Sequence, residues 1–326
     1  MKLVITIDTE EDNWGAYDAT HYSTENILKI PKFQEICDQF NVVPTYLVTY
    51  PVATDPKSVR ILRKIYDEGK CEIGMHCHPW NTPPFEEERN EYNSMLSNLP
   101  AGLQYKKMIT LHETINSNFG IEPKSFRAGR WGYNQSVGDV LKELNYKVDT
   151  SITPFTNWSE YCGPDFSNMF PDPYKLYPNG GSDSDKHNLI EIPATIGYLQ
   201  KNFALCNSID QRLNSKWSRH LHVKGILCKL RLINKVHLSP ESSSANQMIS
   251  LTKVFMKRKD KIINMFFHST SLMAGLSSFV QTLYDERKFL DEIRFFLSFV
   301  CEAGITGVML SDAPMHLFKT MNRFPS

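Results

Sequence analysis

An α/β fold built on parallel strands, either an open sheet or a barrel, is what this sequence predicts, on three observations. Segments of strand and helix character alternate along most of the chain. Polar and ionisable residues recur where the strand-like segments end. The length of 326 residues suits one large domain or two modest ones, and a single α/β barrel often fills it.

Residues 3–7 are a short apolar run with β-branched members that ends in acids, which predicts a buried strand. Over 27–40, Ile27, Ile30, Phe33, Ile36, Cys37 and Phe40 fall at helical spacing. Residues 44–52 read as a second strand. Residues 56–68 carry Val59, Leu62 and Ile65 on one helical stripe, with Gly69 placed as a stop. A third strand is expected over 71–78, then a longer helix over 103–119 closed by Gly120. Strands at 125–128, 146–152 and 189–196 follow, with a helix at 137–144 between the first two. Strands at 265–268 and 308–310 flank an amphipathic helix at 284–303. Such alternation argues for βαβ units. Two stretches break the rhythm. Residues 155–187, rich in Pro, Gly, Asn, Asp and Ser, read as a loop insertion, and long loops near a site are often functional. Residues 203–260 read as a mostly helical accessory insertion. No solenoid-period repeat is present.

Hydrophobic residues make up 41% of the chain and charged residues 22%, enough to bury a full core. Lys and Arg together number 36, and so do Asp and Glu, so no overall charge favours nucleic acid. Seven cysteines at 37, 71, 77, 162, 206, 228 and 301 form no CxxC pair, which argues against a disulfide framework. Asp8 interrupts the first apolar run too early for a secretory signal, and no stretch reaches the apolar length of a membrane span. The expected location is the cytoplasm.

The chemistry gathers at strand ends. Asp8 and Glu10 follow the first strand, His76 and His78 end the third, and Arg127, Asp149 and His268 close later ones. In parallel α/β folds ligands bind at the carboxyl ends of strands. Residues two apart on a strand face the same way, so Asp8 and Glu10 share a face, as do His76 and His78, while Cys77 points to the opposite one. Two imidazoles and a carboxylate are a common set for Zn²⁺, Fe²⁺, Co²⁺ or Mn²⁺, and an unligated carboxylate beside them can act as base. Taken singly, each has a plainer explanation: an HxH pair can be solvated, Glu10, Glu11 and Asp12 can be an ordinary acidic loop, Arg127 an ion-pair residue and His268 a satisfied strand-end histidine. Their joint placement on successive strand ends favours a site.

The order of these segments resembles the polysaccharide deacetylase family, the NodB-homology group also classed as carbohydrate esterase family 4. Asp8-Thr9-Glu10 is similar to its first motif, residues 72–80 (Glu-Ile-Gly-Met-His-Cys-His-Pro-Trp) to its second, and residues 126–132 (Phe-Arg-Ala-Gly-Arg-Trp-Gly) to its third. Residues 148–151 are similar to its fourth and residues 266–269 to its fifth. The resemblance covers roughly residues 1–152 and 188–312 and implies one distorted (β/α)₇ barrel over 1–326, with the helical insertion added. It implies a divalent metal, foremost Zn²⁺ with Co²⁺, Fe²⁺, Mn²⁺ or Ni²⁺ as alternatives, held by Glu10, His76 and His78. It further implies Asp8 as base, Arg127 as its contact, His268 as general acid and Asp149 in support of His268 or of the arginine. Two departures stand out. The family spaces its second-motif histidines four apart, where position 80 here is Trp, and Thr9 separates acids that are usually adjacent. Glu11 or Asp12 are therefore alternative metal acids. These departures resemble a subgroup associated with surface-polysaccharide clusters.

The implied reaction is metal-dependent hydrolysis of an N-acetyl group on a sugar intermediate of surface polysaccharide synthesis, on a nucleotide or lipid carrier. Hydrolysis of a non-sugar amide or cyclic imide, or glycan binding without catalysis, are the alternatives. One further feature is a run from Gln211 to Pro240 without an acid. It holds Arg212, Lys216, Arg219, Lys224, Lys229, Arg231 and Lys235, interleaved with apolar residues and a second HxH at His220 and His222. It reads either as a basic helix packed on the barrel or as a surface for phosphate or anionic lipid, with peripheral contact at the inner membrane face through 211–237.

Overall fold

The computed structural model describes residues 1–17, 20–177, 188–213 and 233–317. Its strands in chain order are β1 (Lys2–Thr9), β2 (Thr45–Val48), β3 (Glu72–Cys77), β4 (Ser125–Ala128), β5 (Val148–Asp149), β6 (Thr156–Asn157) and β7 (Asp165–Phe166). Then come β8 (Tyr174–Lys175), β9 (Ile190–Glu191), β10 (Ile196–Tyr198), β11 (Lys235–His237), β12 (Ile262–His268) and β13 (Thr306–Gly307). The helices are α1 (Ile30–Gln39), α2 (Tyr50–Thr54), α3 (Pro56–Asp67), α4 (Ala101–Phe119), α5 (Gln135–Glu143) and α6 (Phe203–Leu213). The last three are α7 (Ala245–Arg258), α8 (Leu283–Glu302) and α9 (Pro314–Leu317).

Strands run side by side in the order β12-β1-β2-β3-β4-β5-β9, all parallel, with β8 antiparallel on the edge and β13 beside β1. The sheet curls into a distorted barrel of the expected α/β type. Between β9 and β12 the ladder is replaced by irregular chain. Thr195 N–H donates to the Asn264 carbonyl at 3.1 Å and the Asn264 N–H to Thr195 Oγ1 at 2.7 Å.

Alternation along β1 assigns the two sides. Leu3, Ile5 and Ile7 face outward into the main core beneath the helices, while Val4 joins the inner cluster with Val148, Ile190 and Ile262. Above Val4 the inner side turns polar, first at Thr6 and then at Asp8. The helices obey local rules. Asp55 caps α3 by accepting from Ser58 N–H at 2.8 Å, and α7 and α8 each open with a capping box. α4 stops at Gly120, which is left-handed at φ 63.

Several boundaries differ from expectation. The second strand ends at Val48, and Pro51 sits in the first turn of α2, where a missing N–H costs nothing. The last strand pairs at 306–307 rather than 308–310, because Val308 already bonds back to Leu3 as the chain turns over the barrel floor. Within 203–260, α6 and α7 are helical as expected, but residues 235–237 are corrected to a strand, antiparallel to β10. Most of the basic run, including His220 and His222, lies outside the described residues. The six described cysteines are free. No helix among the described residues is long and apolar enough to cross a membrane.

Candidate active site

The upper inner side of the barrel holds a layered polar network. At its middle lies Arg127, fully buried on β4. Its guanidinium donates to Thr6 Oγ1 at 2.7 Å, to the Thr150 carbonyl at 3.1 Å and to Asp8 Oδ1 at 2.6 Å. The Trp131 ring covers it, 4.8 Å from the guanidinium carbon. Burial works against charge on Asp8, but the Arg127 guanidinium, with the His76 and His268 imidazoles, outweighs it and holds the carboxyl below the usual range. Asp8 is therefore an ionised carboxylate with one oxygen fixed and the other, Oδ2, turned towards two imidazoles. His76 Nε2 lies 4.0 Å from it and His268 Nε2 3.9 Å.

One layer up are Glu10, His76 and His78, whose ligand atoms all lie within 4.8 Å of one another. His78 Nε2 is 2.9 Å and His76 Nε2 3.7 Å from Glu10 Oε2. His76 Nδ1 sits 3.0 Å from the Arg127 carbonyl, so it carries the proton and leaves Nε2 with a lone pair aimed at Glu10. Burial, the leading cause, lowers His76 to about 4 and His78 well below its ordinary value, so both are neutral, the ligating form. Burial likewise pushes Glu10 well above the usual carboxylate range, and its Oε1 is buried with no hydrogen-bond partner. A buried carboxylate with an orphaned oxygen facing two neutral imidazoles fits a divalent cation.

The two sequence departures acquire a physical reading. Trp80, in the place of a more distant histidine, packs its ring 4.0 Å from that of His78. Glu11 accepts from Asn81 Nδ2 at 2.9 Å and Thr49 Oγ1 at 3.1 Å, and Asp12 accepts from Ser23 Oγ, Glu25 N–H and Asn26. Both alternative acids are thus spent on holding loops, and Glu10 is the one in the set. Gly129 presses against the other side of His78: a Cβ there would lie 2.2 Å from Nδ1. Gly129→Ala is expected to push the imidazole off its position and weaken zinc affinity about 10–100-fold, the scale typical of disturbing a ligand's support. Competition against a chelating dye would read this, and an unchanged affinity would show that His78 does not depend on that contact.

His268 closes the group from β12, in register with Asp8. Its Nδ1 lies 3.0 Å from Glu241 Oε2, and Glu241 Oε1 also accepts from Ser271 Oγ at 2.6 Å. Burial would discharge this imidazole, but Glu241, with Glu10 and Asp8 behind it, raises it to about 10. Glu241 was invisible to sequence reasoning. It stands in a Ser-Pro-Glu-Ser turn before α7, 27 residues from its partner, with no spacing rule to join them. Removing its charge in Glu241→Gln should let His268 lose its proton at lower pH. The alkaline limb of a kcat/KM profile should therefore move to lower pH, and a limb that stays put would separate His268 from the acid step.

Asp149 was expected to support His268 or the arginine; among the described residues no hydrogen bond joins it to either, and the Arg127 guanidinium acts on it only as a nearby charge. It is in register with Phe126, which lies in the outer core, so its side chain shares that outer side. Thr150, next in the chain, is the one that meets Arg127. Burial raises Asp149 to about 6 and Glu191, beside it on β9, well above the usual range, so the hydrogen-bonded pair retains a proton. Asp149 also accepts from Ser151 Oγ at 2.5 Å, and that oxygen accepts from Ala128 N–H at 2.8 Å. Its reach to the site is thus indirect, through the end of β4.

Above Glu10, His76 and His78 opens a cavity of about 330 Å³, walled by Trp131, Trp158, Tyr161, Phe279, Met95 and Arg130. Trp158 and Tyr161 come from the segment read as a loop insertion, so its composition pointed to the right region but not to an aromatic wall.

No family model matches the chain, and no curated protein matches it in sequence. Solved structures do. A putative polysaccharide deacetylase from Mycobacterium smegmatis superposes with a TM-score of 0.57 at 15% identity, covering 100% of this chain and 94% of that one. A probable polysaccharide deacetylase from Pseudomonas aeruginosa gives 0.54 at 12% identity, over 99% and 92%. PuuE allantoinase gives 0.54 at 10%, again over 99% and 92%. At these identities the likeness concerns the fold, which is the NodB-type deacetylase barrel that the order of motifs led us to expect.

Proposed function

We propose that this protein is a metal-dependent hydrolase that removes the N-acetyl group from an amino sugar. The observation that carries this reading is the single cavity in which an ionised Asp8, a Glu10–His76–His78 ligand set and a charged His268 converge beneath aromatic walls. Glu10, His76 and His78 would hold the ion. When bound, a divalent ion there supplies Lewis acidity that makes water nucleophilic near neutral pH and offsets charge developing on a carbonyl oxygen.

The chain's own residues do the rest. Asp8 accepts the proton that the attacking water loses, at Oδ2, while Arg127 fixes Oδ1 and keeps the carboxylate ionised. With Nδ1 bound to Glu241, His268 offers its proton at Nε2. As the carbonyl carbon gains an oxygen and its bond to nitrogen breaks, that proton goes to the departing nitrogen, leaving acetate and a free amine. Trp131 keeps water from the Arg127–Asp8 pair. The aromatic walls suit the apolar faces of a sugar ring.

We extend the proposal to a sugar intermediate of surface polysaccharide assembly, carried on a nucleotide or lipid, with Zn²⁺ as the first metal to try and the cytoplasm as the compartment. Purified protein loaded in turn with Zn²⁺, Co²⁺, Fe²⁺, Mn²⁺ or Ni²⁺ is assayed for acetate release from N-acetylated sugars and their nucleotide and lipid-linked forms. Metal-dependent acetate release is expected, and its absence from every substrate with every metal would sink the reading. The fold shared with an allantoinase favours a second reading, hydrolysis of a non-sugar amide or cyclic imide. Ring opening of a cyclic imide without acetate release from any sugar would select it.

A further inference from the structure

The segment after Arg127 contains an unusual turn. Arg130 and Trp131 are both left-handed, at φ 52 and φ 61. Neither is a residue that tolerates this backbone well, and two in succession are stored strain that the surroundings must maintain. The turn sends both side chains into the cavity wall. Trp131 has an evident task there, covering the Arg127 guanidinium. Arg130 has none of that kind. It bonds Ser94 Oγ, lies 5.4 Å from the centre of the Tyr17 ring, and comes 3.6 Å from Glu91 Oε1. Glu91 is a weak counter-charge, because its side chain is 55% exposed and that of Arg130 only 14%.

A charge census of the cavity isolates Arg130 further. Asp8 is neutralised by Arg127 across a buried contact, and His268 by Glu241 across a part-buried one. Glu10 fits a divalent ion with two neutral imidazoles. Arg130 is the cation of the cavity wall whose only described acidic partner stands in solvent. A guanidinium has five N–H donors, and these contacts use few of them. Its planar fork matches carboxylate or phosphate oxygens in pairs. It also stands next to Gly129, which adjoins His78, and it lines the same cavity as Glu10, His76 and His78.

We propose that Arg130 is a specificity residue for an anionic oxygen group, carboxylate or phosphate, carried by the amino sugar that the enzyme deacetylates. This rests on the deacetylase reading above, and the test separates the two. Zinc-loaded protein is given N-acetylglucosamine, its 1-phosphate and the corresponding uronic acid, and kcat/KM for acetate release is measured for each. Binding of the three deacetylated products is measured by calorimetry, which needs no turnover. The parent protein should prefer one anionic form over the neutral sugar by about 10–100-fold, the scale of a charge-assisted hydrogen bond lost or gained. Preference for the 1-phosphate or for the uronic acid identifies which oxyanion is read.

Arg130→Met should erase the preference, read as the ratio of kcat/KM for the anionic sugar to that for the neutral one, whatever it does to both. Arg130→Lys, which keeps the charge without the fork, should retain part of it. If Arg130→Met fails to fold, the lysine variant carries the comparison, and a preference equal to the parent's overturns the proposal. No preference for either anion in the parent, or one that survives Arg130→Met, also overturns it. Acetate release from neutral and charged sugars alike would remove the proposal and keep the deacetylase. An Arg130-dependent preference in product binding without any acetate release would do the reverse.

Discussion

Asp8→Asn is expected to keep its metal and lower turnover by about 10²–10⁴-fold, the usual worth of a positioned base. The asparagine oxygen can still accept from the Arg127 guanidinium, which now meets Asp8 Oδ1 at 2.6 Å, so the geometry of the site should survive. What disappears is a group able to take the proton of the attacking water. The substitution also leaves the Arg127 charge buried without its partner, and breaking a buried pair typically costs about 3–5 kcal/mol. Lost turnover must therefore be separated from lost folding. The double variant Asp8→Asn with Arg127→Met removes both charges and should regain much of the thermal stability while staying inactive. If activity returned together with stability, Asp8 would be a structural ion-pair partner and the base would lie elsewhere. Metal content by elemental analysis and a thermal melt complete the comparison.

Removing a metal ligand should have an effect of similar size by a different route. Glu10→Gln, His76→Ala and His78→Ala should each lower zinc affinity by more than about 100-fold, since even disturbing a ligand's support costs about 10–100-fold. Glu10→Gln is the most informative. It changes no volume, and Glu10 is the residue whose buried Oε1 has no hydrogen-bond partner. Because burial makes ionised Glu10 unfavourable without a cation, the glutamine variant should fold at least as well as the metal-free parent. Full zinc stoichiometry in all three variants would dismiss the site. Retention in Glu10→Gln alone would mean that Glu11 or Asp12 leaves its present partners, Asn81 and Thr49 for the one and Ser23 and Asn26 for the other.

How much of this was legible beforehand depends on the range of the interaction. Asp8 and Glu10, like His76 and His78, share a side of the barrel because the side chains of a strand alternate, a rule that needs only the chain itself. That several such pairs meet at one rim follows from the parallel sense of the strands, which strand–helix alternation already implied. Asp149 marks the limit of the same rule. Its place in a strand was legible, but which of Asp149 and Thr150 faces inward depends on register against Phe126, and a slip of one residue reverses the answer. The strand at 235–237 was missed because its three residues sit among the basic and apolar ones of a helical-looking run, and only pairing with β10 makes them a strand.

Sequence alone determined the class of fold, the strand ends that carry acids and imidazoles, and the residue types a divalent ion would need. These depend on local periodicity and residue chemistry, which act over a few positions. Only tertiary structure decided that Glu10 and not Glu11 or Asp12 faces the histidines, since the choice turns on which carboxylate is already satisfied by Asn81, Thr49 or Asn26. It alone paired Glu241 with His268, set Trp80 against His78 and aimed Arg130 into the cavity. Each of these is a contact between segments the chain brings together only by folding. A buried charge is decided by whatever stands within a few ångströms of it, and no spacing along the sequence encodes that distance.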